Sequence, residues 1–179
     1  MKETPASVGR GIWLVALGRA EGIGCFRGTP SAFFTSLAPM LAFSVMAAAL
    51  LAARGNRHAA LVQLLTAPAS VLAAPVASHF VAVRLEREPN WARYATAANW
   101  SQWVYLVLIL AVLSLGKAGL VMAPFVVIYA IWVQLFLARA ALALGWGRAV
   151  LVVLAVMAAN GVFVLGPAYL VSLFARPGG

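Results

Sequence analysis

The amino-acid sequence predicts an all-α integral membrane protein: five transmembrane helices preceded by a short amphipathic helix lying in the membrane interface. Three observations carry this reading. Hydrophobic residues make up 64% of the 179 residues and charged residues only 9%, whereas soluble domains run near ~25% charged. The apolar residues fall into five long stretches, each close to the ~20 residues that carry an α-helix across ~30 Å of hydrocarbon. Those stretches are continuously apolar with no alternation, which excludes barrel strands, and unpaired backbone in lipid is costly enough to require helix throughout. Residues 1–179 read as a single membrane domain.

The first stretch covers about 30–53. Thr29 offers a hydroxyl to cap free N–H groups, and Pro30 sits where no N–H is needed. Arg54, Gly55, Asn56 and Arg57 end it. The second covers about 59–83 and contains Pro68 and Pro75, two helical turns apart. Such prolines are tolerated where neighbouring helices and Ser or Thr side chains satisfy the freed carbonyls. The third covers about 94–115 and the fourth about 118–139. Only Gly116 and Lys117 separate these two, which predicts a tight antiparallel hairpin. The fifth covers about 149–174, after Gly145, Trp146, Gly147 and Arg148. Ahead of all five, residues 8–20 place Ile12, Trp13, Ala16 and Leu17 on one helical face between Arg10 and Arg19, the pattern of an interfacial helix. The apolar run at 11–17 is short and lacks a small-residue cleavage pattern, so no removable signal peptide is expected.

The net charge is +9, with four Glu and no Asp. The basic residues are scattered between apolar runs rather than clustered, which argues against nucleic-acid binding. Anionic lipid headgroups would attract them. They also orient the chain. The N-terminus and the loops after the second and fourth stretches carry nine Lys and Arg; the opposite side carries four (Arg54, Arg57, Lys117 and Arg176). The positive side is expected in the cytoplasm, placing the N-terminus inside and the C-terminus outside.

No catalytic, metal or cofactor signature is present, and the chain is not expected to be an enzyme. Glu3, Glu21, Glu86 and Glu88 all lie in polar segments. Intramembrane ionisable groups mark proton relays and ion pathways, so their absence from the stretches argues against a proton-driven carrier. Cys25 stands alone. His79 lies near the cytoplasmic end of the second stretch, and His58 is expected on the opposite side, so the two cannot share a metal.

Two constellations remain. Asn99 and Gln102 share one face of the third stretch. Gln134 lies at the same depth across the hairpin, as far after Lys117 as residue 100 lies before it, ~25 Å at 1.5 Å per residue. These three form a candidate polar pocket; their bland role is interhelical hydrogen bonding worth ~1 kcal/mol or less each. Ala69, Ala73 and Ala77, with Ser70, Ala74 and Ser78, recur every four residues on the second stretch and make a candidate helix-packing face at the centre of the bundle. Trp91, Trp100, Trp103 and Trp146 fall near expected interfaces, where amphipathic rings anchor.

The segments CFRGTPSAFFTSLAP (Cys25 to Pro39), YATAANWSQ (Tyr94 to Gln102) and IYAIWVQLFLARAALALG (Ile128 to Gly145) follow one another in an order that resembles bacterial Yip-type (Ypt-interacting-protein-like) five-span membrane proteins. The resemblance covers most of 22–173. It implies five helices, a cytoplasmic N-terminus, a bacterial inner-membrane location and no catalytic residues. The long acidic N-terminal region of eukaryotic members is missing here. The expected function is non-enzymatic: organising or supporting membrane components as an accessory subunit, assembly factor or membrane-shaping factor. The partners would be the bilayer and other membrane proteins or further copies of the chain. The alternative is a small transporter or channel for an uncharged or small solute.

Overall fold

The computed structural model describes residues 5–174, with side chains described for residues 7–112 and 114–162. All regular structure in that range is helical: α1 (Pro5–Ala16), a 3-10 turn (Ala20–Cys25), α2 (Pro30–Ala53), α3 (Arg57–Arg84), α4 (Glu88–Ser114), α5 (Lys117–Ala141) and α6 (Trp146–Phe174). Four of these, α2 to α5, are long and apolar enough to cross a membrane.

Local chemistry sets the boundaries. The Thr29 hydroxyl accepts from Ala32 N at 3.2 Å with Pro30 in the first turn of α2, the cap its sequence position predicts. Asn56 accepts from Ala59 N at 3.1 Å and starts α3 two residues ahead of the apolar stretch. α4 starts at Glu88 rather than near 94, because Glu88 and Pro89 suit a first turn and the polar segment 88–93 continues the helix beyond its apolar part. Four helix ends close in the same way. After α1, α2, α3 and α5 the residue beyond the cap turns left-handed (Gly18, Gly55, Glu86 and Ala143). The next amide then reaches back to a carbonyl five residues earlier: Arg19 to Leu14, Asn56 to Leu51, Arg87 to Ala82, Leu144 to Arg139. This caps carbonyls that the helix leaves unpaired. At Glu86 and Ala143 a non-glycine residue bears that conformation, at φ 58° and 52°.

The α4–α5 turn is as tight as two intervening residues require. Gly116 has φ 55° and ψ −126°, a conformation open to glycine. A Cβ on Gly119 would fall on the Val112 carbonyl oxygen, so the two helices start closer together than any side chain permits.

α3 packs along α2 and α6, α4 packs along α5 and also meets α2 and α3, and α5 meets α6. The centre is therefore shared: α3, expected there alone, shares it with α4, which also carries α1 and the 3-10 turn. Buried residues gather at one end of the bundle, from Phe26, Phe33 and Leu37 through Ala82, Tyr94 and Ala97 to Leu137, Ala138, Leu142 and Val152. At the other end the α4–α5 hairpin exposes Ile109, Leu110, Leu120, Val121 and Phe125, and only 11% of the most apolar window of α5 is buried.

The N-terminal helix carries the exposed apolar face expected of it and, in addition, packs against the bundle. Trp13 and Leu17 do point outward, 66% and 54% exposed. The opposite face is also apolar, however, and Val8, Gly11 and Val15 bury against the bundle. Tyr129, the midpoint residue of α5, donates to Ala16 O at 2.7 Å. A Cβ on Gly18 would lie 2.6 Å from the Trp132 ring. The last turn of α1 thus docks on the flank of α5 ~18 Å from either helix end, not beside its terminus.

Prolines lie within α2 (Pro39), α3 (Pro68 and Pro75) and α5 (Pro124). Among the described residues, no Ser or Thr side chain is seen on the carbonyls these prolines free, contrary to expectation. Thr35, Ser44, Thr66, Ser70, Ser78, Thr96, Ser101 and Ser114 donate to other carbonyls one turn back on their own helices, the usual way a hydroxyl satisfies itself inside a helix.

Candidate functional site

Asn99, Gln102 and Gln134 line one small cavity of about 20 Å³, together with Ser78, Tyr94 and Val156. Four helices meet there. α3 contributes Ala74, Pro75 and Ser78; α4 contributes Tyr94, Ala95, Ala98, Asn99 and Gln102; α5 contributes Gln134 and α6 Val156. The one-turn spacing of Asn99 and Gln102 sets both on the same side of α4, and the tight hairpin brings Gln134 level with them.

Two hydrogen-bonded chains leave this region, and each ends on a backbone carbonyl. Asn99 Nδ2 donates to Ser36 Oγ at 2.9 Å, and Ser36 Oγ donates to Phe33 O at 2.6 Å. This chain ties α4 to α2. Trp91 Nε1 donates to Ser78 Oγ at 3.1 Å, and Ser78 Oγ donates to Pro75 O at 2.9 Å. This one ties α4 to α3. Both serines are 1% exposed, and each keeps its own bond to a carbonyl while accepting from α4, so removing the serine hydroxyl would leave the Asn99 or Trp91 donor without this partner, the costly direction of the hydrogen-bond balance. The three amide side chains do not bond to one another; Gln102 and Gln134 have no hydrogen-bond partner among the described residues.

Sequence reasoning missed Ser36, Tyr94 and Trp91 as members of this node. Ser36 is one hydroxyl in an apolar run, and nothing in its neighbours distinguishes it from Thr35, which stays exposed. Trp91 was expected as an interfacial anchor. It is half-buried within the protein, with Phe33 at 5.1 Å and His79 edge-on at 4.6 Å between ring centroids. His79 lies against this ring, its Nδ1 buried and without a protein partner. Trp146 fits the anchor description better: it is 53% exposed, and the Arg139 guanidinium lies 4.7 Å from its ring centroid, a cation–π contact.

The small-residue face divides in two. Ala74 and Ser78 border the polar cavity. Ala69, Ala73 and Ala77 border a separate apolar groove of about 340 Å³ that also reaches Ala159 of α6. Ala73 and Ser78 are buried, Ser70, Ala74 and Ala77 are half-buried, and Ala69 is exposed. A continuous close contact along all six residues is thus not formed; small side chains there leave a groove. Among the described residues no three His, Cys, Asp or Glu side chains come together as a metal site.

Comparison with protein-family models, with curated proteins and with solved structures finds no match for this chain.

Proposed function

We propose that this is a five-span bacterial inner-membrane protein without enzymatic activity, which organises or supports other membrane components through lateral helix contacts. In this reading α6 is the fifth span, the N-terminus is cytoplasmic, the C-terminus is outside, and the chain is a Yip-type protein. The observation that carries the proposal is the α4–α5 hairpin. Between residues 107 and 128 it exposes apolar side chains on most of its surface, including Leu110, Leu120, Val121, Phe125 and Ile128. A helix pair with so little of its own chain around it is available to helices of a partner or of another copy, as well as to lipid. The polar node supports the same reading, because its main hydrogen bonds join helices and its cavity is far smaller than the ~300–1,000 Å³ of ordinary ligand pockets.

One observation favours the transporter alternative: Gln102 and Gln134 face a cavity with no protein partner. Mass spectrometry of the protein purified from native membranes separates the two. A stoichiometric membrane-protein partner, cross-linked from a photoreactive residue at Phe125, supports the organising role. A partner-free protein carrying a bound small solute overturns it.

A further inference from the structure

The polar cavity of α3, α4, α5 and α6 brings Tyr94, Asn99, Gln102 and Gln134 to one place. We infer that it holds one ordered water molecule, which completes the hydrogen bonding of Tyr94, Asn99, Gln102 and Gln134. The argument begins with size. A cavity must offer roughly 10–15 Å³ of such space to admit one water, and this one offers about 20 Å³. The space therefore suffices for a water molecule.

Polarity decides whether so small a cavity is filled. Apolar cavities stay dry, whereas a buried water needs two to four polar partners. Tyr94 is 2% exposed and lines the cavity, and its hydroxyl has no protein partner among the described residues. Asn99 is 9% exposed; its Nδ2 donates to Ser36, which leaves its Oδ1 free to accept. Gln102 and Gln134 each add an amide that can donate or accept. Four neutral groups around one site, with both donors and acceptors among them, match the two donors and two acceptors of water. A metal cation fits worse. The lining holds no carboxylate, and an ion stripped of water in a low-dielectric interior needs charge compensation that neutral amides do not supply.

The filled site would give Tyr94, Gln102 and Gln134 the partner that the protein alone withholds and Asn99 a second one for its Oδ1, linking α4 to α5 where no direct side-chain bond joins Gln102 to Gln134. The test uses the full chain in lipid nanodiscs, with proton NMR of the side-chain amides. We expect cross-peaks between water and the amide protons of Gln102 and Gln134 that survive a water-soluble gadolinium chelate, and their loss at Gln102 in Gln134→Leu. Tyr94→Phe should keep the fold and weaken them. Absence of the cross-peaks in the unaltered protein overturns the inference. Quenching by the chelate overturns it in favour of a water-filled path open to bulk solvent. A shift of both amides when Na⁺ and K⁺ are replaced by N-methylglucamine overturns it in favour of a cation.

Discussion

Tyr129 holds the end of α1 against the middle of α5: its hydroxyl donates to the Ala16 carbonyl over 2.7 Å. That carbonyl belongs to the last turn of α1, where intrahelical donors run out. The bond therefore satisfies a group that the helix itself cannot. Tyr129→Phe keeps the ring and removes the bond. We expect it to lower stability in detergent by ~1 kcal/mol and to speed proteolysis between α1 and α2 at least as clearly as it lowers Tm. Unchanged proteolysis would mean that Gly18 against Trp132 suffices to dock the N-terminal segment.

Asn99 and Ser36 join α4 to α2, and a double-mutant cycle measures that bond. Ser36→Ala and Asn99→Leu should each destabilise the bundle, with a coupling energy of ~0.6 kcal/mol and at most ~1.7. Strict additivity in thermal unfolding would show that the two side chains do not share a bond in the membrane.

Gly119 is a point of close approach in the α4–α5 hairpin. Gly119→Ala drives a methyl group into the Val112 carbonyl, and neither backbone can retreat while Gly116 and Lys117 hold the turn. A loss of ~1–3 kcal/mol is expected, the range for overpacking. Gly145→Ala, whose Cβ meets nothing within 4 Å, should cost much less. Equal aggregation temperatures for the two variants would remove the hairpin contact.

Overpacking should likewise separate two alanines of α3. Ala82 is fully buried, and Ala82→Leu is expected to destabilise by ~1–3 kcal/mol. Ala69 is exposed beside the groove shared with α6, and Ala69→Leu has room for its added methylenes. Comparable losses at both sites would mean that the groove closes in the membrane.

Orientation is checked with reporters. Fused after Glu88, a reporter active only in the cytoplasm should be active; fused after Gly179, one active only when exported should be active. The reverse pattern at both sites would invert the topology.

The sequence by itself determined the helical class, the bounds of α2, α3 and α5 to within two residues, the end but not the start of α4, and the tight hairpin. These follow from local causes: hydrocarbon thickness sets span length, Thr29 with Pro30 makes a cap, and two residues between apolar stretches force a turn. Counting residues from that turn also set Asn99, Gln102 and Gln134 at one depth. Only the tertiary structure decided which helices meet there. Rotation about each helix axis and the choice of neighbours depend on contacts between residues far apart in the chain, and in an all-apolar span there is no polar face to announce them. So Ser36 and Tyr94 joined the node unforeseen, Ala69 proved exposed, and α1, which reads as an interfacial helix, docked by its second apolar face beside Tyr129.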